Sequence, residues 1–492
     1  MASPQPEISP DPIVDVHNPE HMKIGTLVYT KAGLIALFAF LLWGDFCFSL
    51  METVIPSILP LELNKLGAQP WAITLIFTSI PNLMNTIINP IASFRSDRLR
   101  TKWGRRIPFL AASSPFVVLF LILLGYSEPI SRFIHQSLLG GKGSDLTVVL
   151  TVVIIFTVGF QFFNLFITSI YYYLFNDVVP RAFLARMMAL FRMVGTGAGA
   201  FYSYFIFQYS DTHMPEIFLG AALLYLLAFA LMCWRVKEGN YPPPPENLGN
   251  EQGFIASIKT YAAECFTHRF YWLLFLANAS WAMTWVTGPF NNIYQTQVLG
   301  FDRAFIGHVG GIAAVVSLVL LFPAGLLADR FHPLRINLLG IACGLVLAPL
   351  GVIFPFVRAG LSLHTAHMVQ IALSAINLPI NTLASAGEVA LFMRLLPQER
   401  YGQFSSANAL IRSIALIFGG FACGAFFGYV QRFGTVPNSC YRFLPLWNMT
   451  FQAGYVFFMY LLYREWLKLG GLKGYVPPSA KPPKEVVSAL QG

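Results

Sequence analysis

The sequence predicts an all-α membrane protein, with twelve transmembrane helices in two pseudo-symmetric six-helix bundles. Hydrophobic residues make up 56% of the 492 residues and charged residues only 11%, whereas an ordinary soluble protein has about 25% charged residues. The apolar residues fall in blocks of about twenty, which as a helix cross a bilayer core of about 30 Å. Two short motifs, Asp-Arg and Ala-Leu-x-Arg, occur at matching places in the first six blocks and in the last six. These observations exclude a soluble protein and predict a duplicated membrane fold.

Each span is a run of apolar residues between polar or Pro- and Gly-containing stretches. The predicted spans are residues 34–58, 71–94, 107–126, 147–174, 185–209, 216–235, 269–294, 304–327, 336–357, 366–394, 403–430 and 445–466. They divide the chain into an N-terminal tail (1–33), a first bundle (34–235), a linker (236–268), a second bundle (269–466) and a C-terminal tail (467–492).

The basic residues predict the topology. With the N-terminus inside, the inner segments and the adjoining span ends hold 23 Lys and Arg residues, and the outer loops hold 7. Because cytoplasmic loops carry the excess of Lys and Arg, we expect both termini to be cytoplasmic in a multi-pass protein of the cell inner (plasma) membrane. The net charge of +9 comes largely from these short loops, so it does not indicate nucleic acid binding.

The segments outside the bundles are short. The N-terminal tail has no basic region followed by an apolar region, so no cleaved signal is indicated, and we expect a flexible cytoplasmic tail. The linker carries four prolines after Tyr241, followed by helical spacing of apolar residues from Gly253 to Phe266. This pattern predicts a stiff segment and then an amphipathic helix on the cytoplasmic membrane surface.

Two motifs repeat between the halves. Asp97-Arg98 follows span 2, and Asp329-Arg330 follows span 8. Ala-Leu-Phe-Arg ends at Arg192 in span 5, and Ala-Leu-Ile-Arg ends at Arg412 in span 11. Two duplicated halves around a central site are typical of secondary transporters.

The loop after span 2 also carries a family resemblance. Its sequence from Ser96 to Phe109, SDRLRTKWGRRIPF, resembles the first-loop signature of the major facilitator superfamily. It is closer still to the glycoside-pentoside-hexuronide:cation symporters, such as melibiose permease, and to plant sucrose transporters. Residues 173–180 and 395–404 are similar to the cytoplasmic ends of spans 4 and 10 in such carriers. The resemblance implies the major facilitator fold and alternating-access transport of sugars or glycosides. Span 2 departs from it, because it lacks the two acidic residues that melibiose permease-like proteins use for cation binding.

Two acidic residues in span 1 are candidates for ion coupling. Asp45 and Glu52 are seven residues apart, so they share a helix face and lie about 10 Å apart along the axis. An ionisable side chain near the bilayer centre costs roughly 2.5–3.5 kcal/mol, so each should face a cavity or a partner. One of the pair is our candidate proton-coupling site. The alternative is that either acid is held in a permanent salt bridge or caps a polar network.

Charged residues near the cytoplasmic span ends predict a gate. Arg192 and Arg412 lie about two turns from those ends, so they either bind substrate or pair across the halves, Arg412 with Asp97 and Arg192 with Asp329. We favour the gate because of their depth. The full set of candidate gate residues is Asp97, Arg98, Arg105, Arg106, Asp177, Arg192, Asp329, Arg330, Glu388 and Arg412.

A sugar site needs amide or charged groups for the hydroxyls and an aromatic face for the ring. Spans 4, 7 and 10 supply such residues, although a tryptophan in a span is more often interfacial or lipid-facing. The candidates for substrate binding are Gln161, Asn164, Asn278, Trp281, Trp285, Asn291, Asn292, Asn377 and Asn381.

The sequence therefore predicts a secondary active transporter that carries a sugar or glycoside together with a cation, with the proton as the first choice. The alternative is a carrier of the same fold for amphipathic cargo such as a lysolipid or a cell-wall fragment, which a lateral opening between the bundles would distinguish. The six cysteines are scattered, and no phosphate loop, nucleophile elbow or metal-ligand spacing is present. We expect no enzyme activity, no cofactor, no metal site and a monomer whose partners are the solute, the coupling cation and the bilayer.

Overall fold

The computed structural model describes residues 22–241, 265–397, 400–434 and 438–478. In this part of the chain, twelve long helices follow one another as the spans predict. They are α1 Lys31–Lys65, α2 Pro70–Arg98, α3 Ile107–Gly125, α4 Asp145–Val178, α5 Arg181–Phe201, α6 Met214–Arg235, α7 Arg269–Trp285, α8 Arg303–Phe331, α9 Pro333–Val357, α10 Leu363–Leu395, α11 Tyr401–Gln431 and α12 Leu444–Lys468. Nine of the described helices are long and apolar enough to cross a membrane. The other three are α5, α7 and α12.

Short elements complete the chain. Strands β1 (Lys23–Ile24) and β2 (Leu27–Val28) form an antiparallel hairpin before α1. Four short segments are π-helical. Leu75–Ser79 interrupts α2, Ile134–Leu138 lies between α3 and α4, Tyr202–Ile206 follows α5, and Tyr294–Val298 lies between α7 and α8. The remaining short helices are Ser127–Phe133, Phe207–Tyr209, Gly288–Phe290, Asn291–Ile293, Arg358–Gly360, Ser439–Phe443 and Gly471–Gly474.

The packing of the helices repeats between the two halves. In the first bundle α1 packs on α5 and α6, and α3 packs on α4 and α6. In the second bundle α7 packs on α11 and α12, and α9 packs on α10 and α12. The prediction of two pseudo-symmetric six-helix bundles is therefore confirmed. We call the membrane side where α1 begins and α12 ends the terminal side, and the opposite side the distal side.

Aromatic side chains form the centre of each bundle. Tyr171, Tyr225 and Phe229 are fully buried in the first bundle and surround Phe48 of α1. In the second bundle the rings of Tyr271 and Phe404 lie 4.3 Å apart, between centroids. Each aromatic side chain buries about 150–250 Å², so these clusters fix how the helices pack.

The N-terminal tail is more ordered than predicted. Residues 1–21 lie outside the described residues, but the hairpin occupies the end of the expected flexible tail, and α1 begins at Lys31 rather than at residue 34. The hairpin contacts the start of the linker after α6, because the backbone N–H of Asn240 donates to Thr26 Oγ1 over 2.9 Å. The amphipathic helix predicted from Gly253 to Phe266 lies mostly within residues 242–264, outside the described part of the chain.

Glu238 caps the start of α3. Its carboxylate accepts hydrogen bonds from the backbone N–H groups of Arg105 (2.9 Å), Arg106 (2.8 Å) and Ile107 (2.7 Å). The first N–H groups of a helix have no partner within it, and negative charge is favourable there. Gly104 has φ +103°, and a Cβ at this position would lie 2.5 Å from Glu238 Cδ. Only glycine therefore suits the turn that the capping carboxylate packs against.

Glu238→Ala should lower the thermal stability of the protein in detergent. The substitution leaves three N–H groups of α3 without their acceptor, which costs about 1–3 kcal/mol. The measurement is the midpoint of thermal unfolding. Glu128→Ala is the control, because Glu128 pairs with Arg132 on an exposed surface and such pairs contribute little. Equal midpoints for the two variants would contradict the capping role.

Candidate functional site

Asp45 lies fully buried between α1 and α5. Its Oδ1 atom accepts a long hydrogen bond of 3.5 Å from Ser49 Oγ, and its Oδ2 atom has no hydrogen-bond partner among the described residues. Gly195 of α5 faces this carboxyl group, and a Cβ there would lie 3.6 Å from Asp45 Oδ2 and 3.1 Å from Ser49 Oγ. The glycine therefore allows α5 to approach the acid closely.

Glu52 is exposed on α1 and is bound on one side by α4. Its Oε1 atom accepts a hydrogen bond of 3.0 Å from Asn164 Nδ2, and the hydroxyl group of Thr168 donates to the carbonyl oxygen of Asn164 over 2.9 Å. One turn further along α4, Tyr172 lies close enough to Asp45, Glu52 and Arg192 for their charges to act on its hydroxyl group. Helices α1, α4 and α5 thus bring two acids, an amide, two hydroxyl groups and an arginine together.

The two acids differ in their surroundings. Among the described residues, no Lys, Arg or His lies within 4.0 Å of either carboxylate, so neither acid is in the permanent salt bridge that was the alternative for the pair. Glu52 belongs to a small polar network through Asn164, whereas Asp45 has only Ser49.

Three asparagines on one face of α2 were not predicted as site residues. Asn89 Nδ2 on α2 donates to Asn85 Oδ1 over 2.6 Å, and the hydroxyl group of Ser169 on α4 donates to Asn89 Oδ1. Asn82 lies one turn earlier and donates to the backbone of its own helix. Their spacing of three and four residues places them on one helix face, and this spacing was the signal available in the sequence.

In the second bundle, two predicted residues join a polar cluster. Asn278 of α7 donates to Asn408 Oδ1 of α11 over 3.2 Å. The ring of Trp281 lies 5.4 Å from that of Tyr455, whose hydroxyl group donates to Asn337 Oδ1 over 2.6 Å. Asn337, Asn408 and Tyr455 were not identified from the sequence, because single polar residues in apolar spans carry no pattern.

The other predicted substrate residues have different surroundings. Asn377 donates to the backbone of its own helix, at Leu373, and Trp285 is 62% exposed at the end of α7. Gln161 is half-buried on α4, and Asn381 is exposed on α10.

A polar cavity of about 310 Å³ lies between the bundles, towards the distal side. Asn291 and Asn292 line it, whereas the other seven predicted substrate residues do not. Asn292 Nδ2 also bridges the bundles by donating to the carbonyl oxygen of Ser57 over 3.0 Å. Further polar side chains in the lining are Thr53, Ser57, Tyr202, Ser203, Gln295, Gln370 and Ser374.

Glycine residues hold the bundles together on the distal side. A Cβ at Gly424 of α11 would lie 2.6 Å from Trp71 Cα, and Gly420 packs directly on Ser79. Ser79 Oγ donates to the carbonyl oxygen of Ile417 over 3.0 Å. Gly307 of α8 packs on the carbonyl oxygen of Ser203. Small residues allow such close approach of helix backbones, so the distal side is closed.

A charged cluster reinforces this closure. Arg303, at the start of α8, donates to Ser210 Oγ (2.6 Å), Asp211 Oδ1 (2.8 Å) and Glu62 Oε1 (3.1 Å) of the first bundle. Lys65 pairs with both carboxylates. The hydrogen bond from Lys65 and the charge of Arg303 lower the pKa of Asp211, which lies in the loop before α6. This cluster was not predicted from the sequence, because the predicted gate residues all lie at the terminal side.

On the terminal side, the ion pairs form within the first bundle. Arg106 is 4% exposed and pairs with Asp97 (Nη2 to Oδ1, 2.5 Å) and with Asp177 (Nε to Oδ2, 3.0 Å). Arg105 makes a two-pronged pair with Asp177 (Nη2 to Oδ1, 2.5 Å, and Nε to Oδ2, 2.9 Å). Arg98 is the last residue of α2 at this same loop. Four predicted gate residues are therefore joined in one network.

The predicted partners in the second bundle are more open. Asp329 pairs with Arg394 of α10 (Oδ1 to Nη2, 3.4 Å), and Arg330 lies over the ring of Phe331. Arg192 and Arg412 are exposed. Among the described residues, neither Arg412 with Asp97 nor Arg192 with Asp329 forms an ion pair. Glu388 is half-buried on α10, close enough to Tyr455 for its charge to act there.

Two duplicated helix bundles around a polar cavity are the architecture of a secondary transporter. Residues 33–420 match the Major Facilitator Superfamily, and the chain belongs to that family. Transport of a small-molecule solute across a membrane is therefore its class of function, rather than enzyme catalysis.

Solved structures of similar fold include several transporters. A bacterial homolog to the human lysosomal transporter Spinster, inward-facing and unoccupied, is 15% identical with a TM-score of 0.63, covering 89% of this chain and 99% of its own. A bacterial homologue of the iron transporter ferroportin, in an inward-facing state, is 13% identical with a TM-score of 0.63, and the match covers 87% of this chain and 99% of the homologue. A D-xylose-proton symporter is 14% identical with a TM-score of 0.57, and the match covers 91% of this chain and 98% of the symporter. These similarities show the fold. Membership of the glycoside-pentoside-hexuronide:cation family stays a prediction.

Arg303→Gln should open the distal side more often. The variant loses both ion pairs between the bundles, and exposed or partly exposed pairs are worth up to about 1 kcal/mol each, so the open fraction should rise by about three- to tenfold. The readout is the rate at which a membrane-impermeant thiol reagent, added on the distal side, labels a cysteine introduced by Thr53→Cys in the cavity. Arg132→Gln is the control, because its pair with Glu128 lies within the first bundle. An unchanged labelling rate for Arg303→Gln would refute this role.

Proposed function

We propose that this protein is an alternating-access symporter that couples the import of a sugar or glycoside to the movement of a proton. The observation that carries the proposal is Asp45, a buried carboxyl group with one unpartnered oxygen, two helical turns from the exposed Glu52 on the same face of α1. A buried carboxylate without a partner is costly, whereas a protonated carboxyl group is tolerated. A group in this position changes its proton occupancy whenever its access to water changes.

Glu52 is the complement of Asp45 in this mechanism. It is exposed, and its carboxylate accepts a hydrogen bond from Asn164. The two acids lie seven residues apart on one face of α1, about 10 Å along the axis, and both take part in the proposed coupling. Gly195 keeps this contact tight.

The polar cavity between the bundles has a lining that suits a polyhydroxylated solute. A volume of about 310 Å³ is at the lower end of the range for ligand sites, about 300–1,000 Å³. Asn291, Asn292, Gln295 and Gln370 offer amide groups that both donate and accept hydrogen bonds, as sugar hydroxyl groups do. The lining also has apolar residues, among them Phe207, Ile306 and Val309, which suit the apolar face of a sugar ring. The four amide groups beside them favour a sugar over an amphipathic cargo.

The closed distal side and the separate terminal-side ion pairs correspond to an inward-facing state, with the terminal side in the cytoplasm as the basic residues predict. In the outward-facing state, Asp97 would exchange Arg106 for Arg412, and Asp329 would exchange Arg394 for Arg192. Asp97 and Asp329 are both about half exposed or more, so each is free to change partner. We place the protein as a monomer in the plasma (inner) membrane, importing solute.

The first experiment is uptake of a panel of labelled sugars into proteoliposomes under an inward proton gradient, a sodium gradient or no gradient. Accumulation with the proton gradient alone is expected. Accumulation driven by sodium would refute proton coupling. Failure to take up any sugar, with a proton-driven uptake of lysolipid, would replace the sugar with the amphipathic cargo.

Asp45→Asn and Glu52→Gln should each abolish proton-driven accumulation while sugar exchange across the membrane persists. Both substitutions keep the shape of the side chain but remove the proton site, so the solute moves without coupling. Counterflow of labelled against unlabelled sugar measures the exchange. Glu128→Gln, on an exposed surface, is the control and should retain accumulation. If both span 1 variants still accumulate sugar, these acids are not the coupling site.

Asp97→Ala should slow transport by about tenfold or more without weakening equilibrium binding of the sugar, because the gate loses its exchangeable carboxylate while the cavity is untouched. Transport rate and sugar affinity are measured on the same preparation. Glu128→Ala serves again as the matched loss of an exposed carboxylate. A loss of affinity in proportion to the loss of rate would rule out the gate role.

A further inference from the structure

The outer surface of the first bundle carries a second cavity, of about 680 Å³, between the terminal-side halves of α3 and α6. It is unrelated to the central cleft. One wall is formed by Ile107, Ala111 and Pro115 of α3, and the other by Leu226 and Ala230 of α6. The α6 wall runs from Leu226 to the end of the helix at Arg235, about 13 Å along the helix axis, and Lys237 lies just beyond it. The cavity is therefore an elongated groove that begins at the membrane surface and descends towards the bilayer centre.

The groove opens towards lipid. Trp234, which lines the groove, is 71% exposed, and Leu227 beside it on α6 is 69% exposed, as expected for side chains that face acyl chains in a membrane-spanning helix. The bottom of the groove is formed by Phe229, which is fully buried, and by Ser114, whose hydroxyl group donates to the carbonyl oxygen of Leu110 over 2.6 Å. Small residues, Ala111 and Ala230, leave the space between the helices unfilled.

The mouth of the groove is cationic. Lys102 and Lys237 line it and are exposed, and neither has a carboxylate within 4.0 Å among the described residues. Glu238 also lines the groove, where its carboxylate accepts hydrogen bonds from three backbone N–H groups and from the hydroxyl group of Tyr241. Two lysines and one carboxylate leave the mouth with a net positive charge. Trp103, 68% exposed at the mouth, is of the residue type that lies at the level of lipid headgroups.

We propose that this groove binds one anionic glycerophospholipid from the terminal-side leaflet. Its phosphate lies between Lys102 and Lys237, and one acyl chain descends along Ala111, Pro115 and Ala230. A free phosphate ion would leave the apolar slot empty, and the positive group of a zwitterionic headgroup would be repelled by the lysines. The bound lipid joins the loop before α3 to the end of α6, next to the Glu238 cap. The proposal does not depend on the identity of the transported solute.

The test is native mass spectrometry of the purified full chain in detergent, titrated with phosphatidylglycerol or with phosphatidylcholine of the same acyl chains. Retention of one phosphatidylglycerol in clear preference to phosphatidylcholine is expected. The double substitution Lys102→Gln with Lys237→Gln should lower this retention by about fivefold or more, because two attractive charges are lost. The matched control, Lys23→Gln with Lys142→Gln, removes two exposed lysines elsewhere and should keep it. Equal retention of both lipids, or no effect of the Lys102 and Lys237 substitutions, would overturn the proposal.

A second variant tests the apolar part of the groove. Ala230→Trp fills the slot and should reduce phosphatidylglycerol retention to the level of the lysine variant, whereas Val346→Trp, on an exposed face of α9, should not. Both variants add one indole to a lipid-facing helix, so a general effect on the detergent micelle would be equal in the two. Retention that survives Ala230→Trp would show that the lipid lies outside the groove and would refute the site.

Discussion

The cost of placing a carboxyl group in a buried helix interface is the constraint on which the first bundle depends. Asp45 is fully buried against α5, with Ser49 as its one hydrogen-bond partner in the described structure. Gly195 lies opposite it, where a Cβ would lie 3.1 Å from Ser49 Oγ and 3.6 Å from Asp45 Oδ2, so a larger side chain would have to displace one of them. A stable protein has no reason to retain such a residue for packing alone, because an apolar side chain would fit the interface at lower cost. The position therefore connects the packing of α1 and α5 with the chemistry of the cleft.

The distal closure shows how small residues and local helix geometry work together. Ser79 ends a π-helical turn of α2, and Ser203 lies in the π-helical turn after α5. Both contribute the atoms on which glycines of the second bundle pack. A π-helical turn carries an extra residue and displaces the local backbone. The close contacts of α2 with α11 and of α5 with α8 thus need both the displaced turn on one bundle and a glycine on the other.

The sequence was sufficient to predict the fold, because the apolar runs and the repeated Asp-Arg and Ala-Leu-x-Arg motifs are features of local order. It also identified residues that the structure joins, such as Arg105, Arg106 and Asp177 at the terminal side and Glu52 with Asn164. It could not identify Gln295 and Gln370 in the central cavity or the pairing of Arg303 with Asp211. These depend on how two bundles dock, and single polar residues in apolar segments give no periodic signal of that. Glu238 was missed for a related reason, since its partner is a backbone segment 131–133 residues away.

The two bundles are held together differently on the terminal side. In the first bundle, ion pairs of Arg105 and Arg106 with Asp177 and the Glu238 cap connect α3, α4 and the segment after α6. In the second bundle, the corresponding Asp329 is 70% exposed at its side chain and has one pair of 3.4 Å among the described residues. Hydrogen bonds from two tyrosines to backbone carbonyl oxygens join its helix ends instead, Tyr271 to Pro478 and Tyr475 to Leu395. Dissolved salt screens charged contacts more than uncharged ones, so high ionic strength should loosen the terminal side of the first bundle more than that of the second.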